Sequence, residues 1–254
     1  MNENYFIEST THPLRLTHFK PEEGGLAELE RKLVIMLHDF PGDSTLYNNL
    51  FEDIAFALEN DGYHSLCFDF SGCGKSDGQS QSLDLQTIKA DIETVKNWAI
   101  NKGYKEFTFL SCGMASLFAM FSMDLDIRSQ IMLWPCFDTQ KTINQKFETH
   151  KINDKDKKAG FFDYNGTNVS LQLIDKLLTV DMKPVFNDMT MPILIFHGTD
   201  DHVYPISELD ILRKSTNASQ TEIMTFHDGE HSLPLAEHRE AMFTQIIRFL
   251  DKNA

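Results

Sequence analysis

Positive charge is scarce in this chain of 254 residues: Lys and Arg number 23 against 38 Asp and Glu, a formal net charge of −15. So acidic a surface argues against nucleic acid as a partner and against an anionic membrane surface, since both need basic residues. Long apolar runs are also missing. The longest, such as Leu33-Val34-Ile35-Met36-Leu37, are strand-length, far short of the roughly 18 residues that cross a bilayer. The opening Met1-Asn2-Glu3-Asn4 has no basic region and leads into no apolar h-region, so no signal peptide is expected. Cysteine is confined to Cys67, Cys73, Cys112 and Cys136, in no metal-ligand spacing. A reduced protein with free thiols, cytoplasmic in location, is the expectation. Internal repeats and low-complexity segments are absent too.

What is present suits a globular chain. Apolar residues make up 41 % and charged residues 24 %, and the 20 Phe supply large core anchors. Residues 5–19 can form a leading antiparallel pair. Lys32–His38 is a buried strand ended by Asp39-Phe40-Pro41-Gly42. Leu46, Leu50, Ile54, Ala57 and Leu58 predict a helix over 45–60, closed by Gly62. Strands are expected at Tyr63–Phe70, Glu106–Leu110, Ser129–Trp134, Met191–His197 and Glu222–Phe226. Helices are expected at 84–101, 114–123, 207–215 and 236–251. This alternation predicts an α/β fold, a mostly parallel sheet flanked by helices, as a single domain over 1–254. The interval 137–190 breaks the rhythm with a charged stretch, an aromatic group (Phe161, Phe162, Tyr164) and a helix around 169–180. A cap inserted over the C-terminal edge of the sheet is expected there.

Chemistry-bearing residues gather at strand ends. His197-Gly198-Thr199-Asp200-Asp201-His202 follows one strand, and Asp228-Gly229-Glu230-His231 follows the next. An acid on one loop and a histidine on its neighbour can pair, the acid fixing the imidazole tautomer. Either one alone is more often a solvated loop residue. The run Ser111-Cys112-Gly113-Met114-Ala115 sits where a tight strand-to-helix turn would present a nucleophile. Its central residue is Gly113, which has no side chain to acylate.

Five segments together resemble the α/β-hydrolases. They are Leu37-His38-Asp39-Phe40, the stretch from Phe68 to Gly78, the turn at Gly113, His197 to Asp201, and Gly229-Glu230-His231. They occur in family order along nearly the whole chain, and the first half is similar to the feruloyl/cinnamoyl-esterase and serine-aminopeptidase-like branch. The resemblance implies that Gly113 holds the nucleophile position, that Asp201 and His231 are the acid and base, and that the backbone N–H groups of Phe40 and Met114 form the oxyanion hole. It implies no cofactor and no metal, and a small acyl or aromatic ester-like ligand under the cap.

The departures cluster at one place. Asp39 stands where the family has glycine, Ser111 replaces the first elbow glycine, and Gly113 replaces the serine. A carboxylate at Asp39 opposes the purpose of an oxyanion hole. A weakly active or inactive pseudo-hydrolase is therefore expected. The alternative is a working esterase or thioesterase, with water in the space at Gly113 activated by Asp201–His231, or with a serine exchanged for glycine by engineering. Other signals are weaker. Gly74-Lys75-Ser76 lacks the first glycine of a phosphate loop, that position being Asp69. Gly72 and Gly74 begin a dinucleotide fingerprint that Asp77 breaks. His197, His202, His227 and His231 lack the spacing of a convergent metal set. Cys112 as a nucleophile would need bulky Leu110 inside the tight turn.

Overall fold

The computed structural model describes residues 2–21, 32–122, 127–213 and 220–253. Two strands open the chain, β1 (Asn2–Ile7) and β2 (Leu14–Phe19), paired antiparallel as expected. β3 (Lys32–Leu37), α1 (Leu50–Asn60), β4 (His64–Phe68), α2 (Leu85–Asn101), β5 (Glu106–Cys112), α3 (Ala115–Phe121) and β6 (Ile127–Leu133) follow. The interval expected to form a cap carries α4 (Thr139–Lys146), α5 (Asp154–Ala159), the hairpin β7 (Phe161–Tyr164) and β8 (Thr167–Ser170), α6 (Leu171–Leu178) and α7 (Met182–Asp188). β9 (Ile193–Gly198), α8 (Asp210–Arg213), β10 (Thr221–Phe226) and α9 (Ala236–Lys252) complete the described elements. Positions 123, 214 and 215 of the expected helices lie outside the described residues.

The main sheet has eight strands in the order β1-β2-β4-β3-β5-β6-β9-β10. All pairs from β4 to β10 are parallel, and β2 meets β4 antiparallel. β3 reads as an unbroken apolar run because both its faces are covered: Leu33 to Leu37 are all buried. Phe68, Phe70, Phe107, Phe109, Phe118 and Phe196 are fully buried around it. Among the described residues no helix is long and apolar enough to cross a membrane.

Two local outcomes differ from expectation and bear on the site. The helix expected from residue 45 starts at Leu50, because Leu46, Tyr47, Asn48 and Asn49 all have positive φ (36°, 29°, 58° and 60°). That turn costs the apolar repeat its first winding and swings Tyr47 off the helix face. Secondly, Gly74-Lys75-Ser76 wraps a carboxylate: Asp69 Oδ2 accepts the Lys75 N–H at 2.8 Å and Oδ1 the Ser44 N–H at 2.7 Å. A Cβ on Gly74 would lie 2.4 Å from that carboxylate, so glycine is required to close the turn around Asp69.

Chain direction across the sheet explains where chemistry can occur. From β3 the chain moves one way to β4, then returns to the other side of β3 as β5. At such a reversal the loops leaving the two strands diverge and open a crevice at their carboxyl ends. Here those loops carry Asp39 and Gly113. The loops after β9 and β10 bring Asp201 and His231 to the same edge.

Candidate active site

Asp201 and His231 meet as the sequence suggests: Asp201 Oδ2 lies 2.9 Å from His231 Nδ1. Asp201 Oδ1 accepts the N–H groups of Val203 (2.8 Å) and Tyr204 (2.9 Å), which fixes the carboxylate. With Nδ1–H given to Asp201, His231 Nε2 is an acceptor. Its partner is the Tyr47 hydroxyl at 2.7 Å, a hydroxyl the sequence reading missed. The rings of Tyr47 (4.8 Å), Trp134 (5.5 Å) and Tyr204 (5.7 Å) surround the imidazole. Burial, and next the Asp39 carboxylate, push the Tyr47 phenol far above its usual range. It therefore remains a proton donor at neutral pH and is no nucleophile.

Gly113 leaves β5 with φ +53°, a left-handed conformation that glycine adopts without strain. The expectation of a water-sized space beside it is corrected by the structure. A Cβ built there would lie 2.5 Å from Asp39 Cγ and Oδ1, and 2.7 Å from Tyr204 Cε2. The Asp39 carboxylate and the Tyr204 ring already fill the volume that a serine side chain needs.

The Phe40 and Met114 N–H groups do converge, and Asp39 lies between them. Asp39 Oδ1 accepts the Phe40 N–H at 2.8 Å and the Met114 N–H at 2.9 Å. The Tyr204 hydroxyl donates to the same carboxylate at 2.8 Å. On Oδ2, Lys146 Nζ donates at 2.8 Å, and the side chains of both partners are nearly excluded from solvent. The Tyr47 hydroxyl stands between two partners, 2.7 Å from His231 Nε2 and 3.3 Å from Asp39 Oδ2. His38, just before, is buried with Nδ1 bonded to the Asp39 carbonyl at 2.8 Å and the Phe70 N–H directed to Nε2 at 3.2 Å. Burial lowers its pKa, so it is a neutral strut for the turn.

Lys146 is the last residue of α4. Glu208 ties the other end of that helix: its carboxylate accepts the Phe137 and Asp138 N–H groups, each at 2.5 Å, and the Thr142 hydroxyl. Burial raises the pKa of Glu208 against the pull of these donors.

The remaining candidates fall elsewhere. Cys112 is buried, and burial together with the Asp39 charge pushes its thiol far above the usual value, so no thiolate is available there. His197 is buried with Nδ1 bonded to the Gly198 carbonyl at 2.9 Å, while the side chain of His227 is 88 % exposed. Among the described residues no three His, Cys, Asp or Glu side chains are grouped to hold a metal. Lys146, Tyr204 and Tyr47 were not singled out from the sequence. The available signals are Tyr204, three residues beyond Asp201, and a carboxylate at Asp39 joined to a missing side chain at Gly113.

No protein-family model matches the chain, and neither does any curated protein sequence. Solved structures do. Est1E from Butyrivibrio proteoclasticus, solved with ferulic acid bound, superposes with a TM-score of 0.81 at 19 % identity over 98 % of both chains. The esterase EaEST from Exiguobacterium antarcticum matches at 0.72 and 18 % identity, over 98 % of this chain and all of its own. Mouse alpha/beta hydrolase domain-containing protein 10 matches at 0.73 and 13 % identity, over 99 % and 100 %. Likeness at these identities establishes the fold: the protein has the α/β-hydrolase fold, with an eight-stranded, mostly parallel sheet flanked by helices.

Proposed function

We propose that this protein is a pseudo-hydrolase, built on the esterase type of α/β-hydrolase scaffold and performing no acyl transfer. One observation carries this reading. The Asp39 carboxylate sits on the two backbone N–H groups that would receive an ester carbonyl, and no side chain at Gly113 can attack one. A fixed negative charge at that point repels the oxyanion that the hole exists to stabilise. Direct hydrolysis by an activated water has no support either. The space beside Gly113 is filled, and His231 Nε2, the would-be general base, is already hydrogen-bonded to the Tyr47 hydroxyl. The mutual fit of Asp39, Tyr204 and Lys146 around a glycine favours a native Gly113 over an engineered knockout. A small acyl or aromatic ester-like ligand, if held here, is held without polarisation of its carbonyl. The free thiols Cys67, Cys73, Cys112 and Cys136, all buried, suit a reducing compartment, and the cytoplasm is the location we propose.

The test is hydrolysis of p-nitrophenyl acetate and methyl ferulate, with fluorophosphonate labelling in parallel. The expected result is turnover at the buffer rate and no label. Brisk turnover that His231→Ala abolishes would overturn the reading.

A further inference from the structure

The charge at the centre of this site has the opposite sign from that of an esterase, and it is already neutralised by a cation. Lys146 Nζ touches three acceptors: Asp39 Oδ2 at 2.8 Å, the Phe40 carbonyl at 3.0 Å and the Tyr204 hydroxyl at 2.5 Å. Three acceptors match the three protons of a primary ammonium. The Tyr204 ring lies 4.8 Å from Nζ and the Phe147 ring 5.8 Å, both within cation–π range.

The receptor for that ammonium is built without Lys146. Asp39 is held by the Phe40 and Met114 N–H groups and by Tyr204, on loops that leave β3, β5 and β9. The occupant comes from a different part of the chain, α4. That helix has eight residues, well under the length at which an isolated helix persists in water. Lys146 is its last residue, so its side chain can leave Asp39 while Glu208 keeps hold of the start of the helix. If α4 withdrew, Asp39 would be a buried carboxylate without a counter-charge, a costly state that favours entry of another cation. The overall charge of −15 draws cations toward the protein.

We infer that the Lys146 ammonium occupies a primary-ammonium binding site, which a small alkylammonium ligand enters in exchange for Lys146. The inference rests on the pseudo-hydrolase reading, because it requires Asp39 to be the permanent occupant of the N–H pair. An anionic ligand has no place here. A quaternary ammonium fits poorly, since without N–H groups it leaves the acceptors unpaired.

Titration of n-butylammonium into the native protein and Lys146→Met, by calorimetry at constant ionic strength, tests this. Methionine keeps an unbranched stem and removes the charge. Lys146→Met should bind saturably and at least about tenfold more tightly than the native protein, as loss of an internal competitor worth one charged hydrogen bond requires. Lys146→Met/Asp39→Asn should lose that gain, and tetramethylammonium and butyrate should do no more than NaCl. In the native protein, amides of residues 139–146 should exchange hydrogen faster as the site saturates. If Lys146→Met does not fold alone, n-butylammonium but not tetramethylammonium should restore folding. Equal response to the two cations overturns the inference, as does an unchanged exchange rate in the native α4 at saturation. These failures leave the absence of ester turnover untouched, whereas His231-dependent turnover would remove the reading beneath.

Discussion

Replacing Gly113 with serine puts a hydroxyl on the turn that follows β5, yet the structure predicts damage without activity. The new Cβ would lie 2.5 Å from Asp39 Cγ, where carbon atoms in contact normally sit about 3.5–4.0 Å apart. Asp39 is the end of a side chain, but it cannot turn away without leaving the Phe40 and Met114 N–H groups unpaired, at about 1–3 kcal/mol for each buried donor. The left-handed backbone at φ +53° adds about 1–2 kcal/mol once a Cβ is present. Together these give a destabilisation of about 3–8 kcal/mol, or a melting temperature lower by roughly 6–30 °C for a chain of this size. Gly113→Ser alone should therefore hydrolyse p-nitrophenyl acetate no faster than the native protein. Asp39→Gly in the same chain frees the N–H pair and removes the tighter of the two clashes, leaving the Tyr204 ring as the remaining close neighbour. The double variant should recover part of the stability and exceed native turnover by at least about a hundredfold, a fraction of the ~10⁶ that a serine nucleophile is worth. Thermal unfolding and the ester assay on both variants read this out. A single Gly113→Ser variant that melts with the native protein, or matches the double variant in rate, would refute the reasoning.

Two further outcomes follow from buried groups. Asp91, on α2, accepts the Ser71 N–H (2.8 Å) and hydroxyl (2.9 Å), and burial pushes its pKa up to about 6. The folded protein thus keeps this proton to higher pH than the unfolded chain, so its contribution to stability falls as pH rises from about 4 to about 6 and is flat beyond, roughly 3 kcal/mol in all. Asp91→Asn should remove that fall. Urea midpoints for native and variant at both ends of the window give the difference, which cancels the opposite trend from His18, a buried histidine with its pKa lowered to about 4; parallel curves would contradict the assignment. Tyr47→Phe frees His231 Nε2, so diethylpyrocarbonate should modify His231 about fivefold faster or more, the worth of one hydrogen bond. Peptide mapping by mass spectrometry would detect it, and an unchanged rate would mean that Tyr47 does not guard the imidazole.

The sheet was legible because its strands obey simple rules. Leu33 to Leu37, covered on both sides, reads as a buried strand at sight, and the Asp201 and His231 loops follow strands of the same kind. The gap between expectation and site lies in side-chain packing across distant segments. In the sequence Gly113 is a missing side chain and Asp39 an electrostatic misfit, each at its own position. Their relation is one of volume: the carboxylate lies where a side chain at position 113 would go, and only the fold brings positions 39 and 113 together. Tyr47 was hidden for a different reason. Leu46 and Leu50 continue a helical repeat, and the left-handed turn that takes Tyr47 to His231 leaves no mark in that periodicity. Lys146 sits in a polar segment whose charges resemble an ordinary solvated face until α4 is seen against Asp39.

Short helices usually fray inward from loose ends, and α4 has the reverse arrangement. Glu208 grips its entrance and the Asp39 carboxylate its final residue, so both ends are tethered. A strut pinned at both feet cannot swing as a flap hinged on one side. Motion of this segment demands that one foot be released first, and the foot at Lys146 stands on the same carboxylate that fills the Phe40 and Met114 N–H pair.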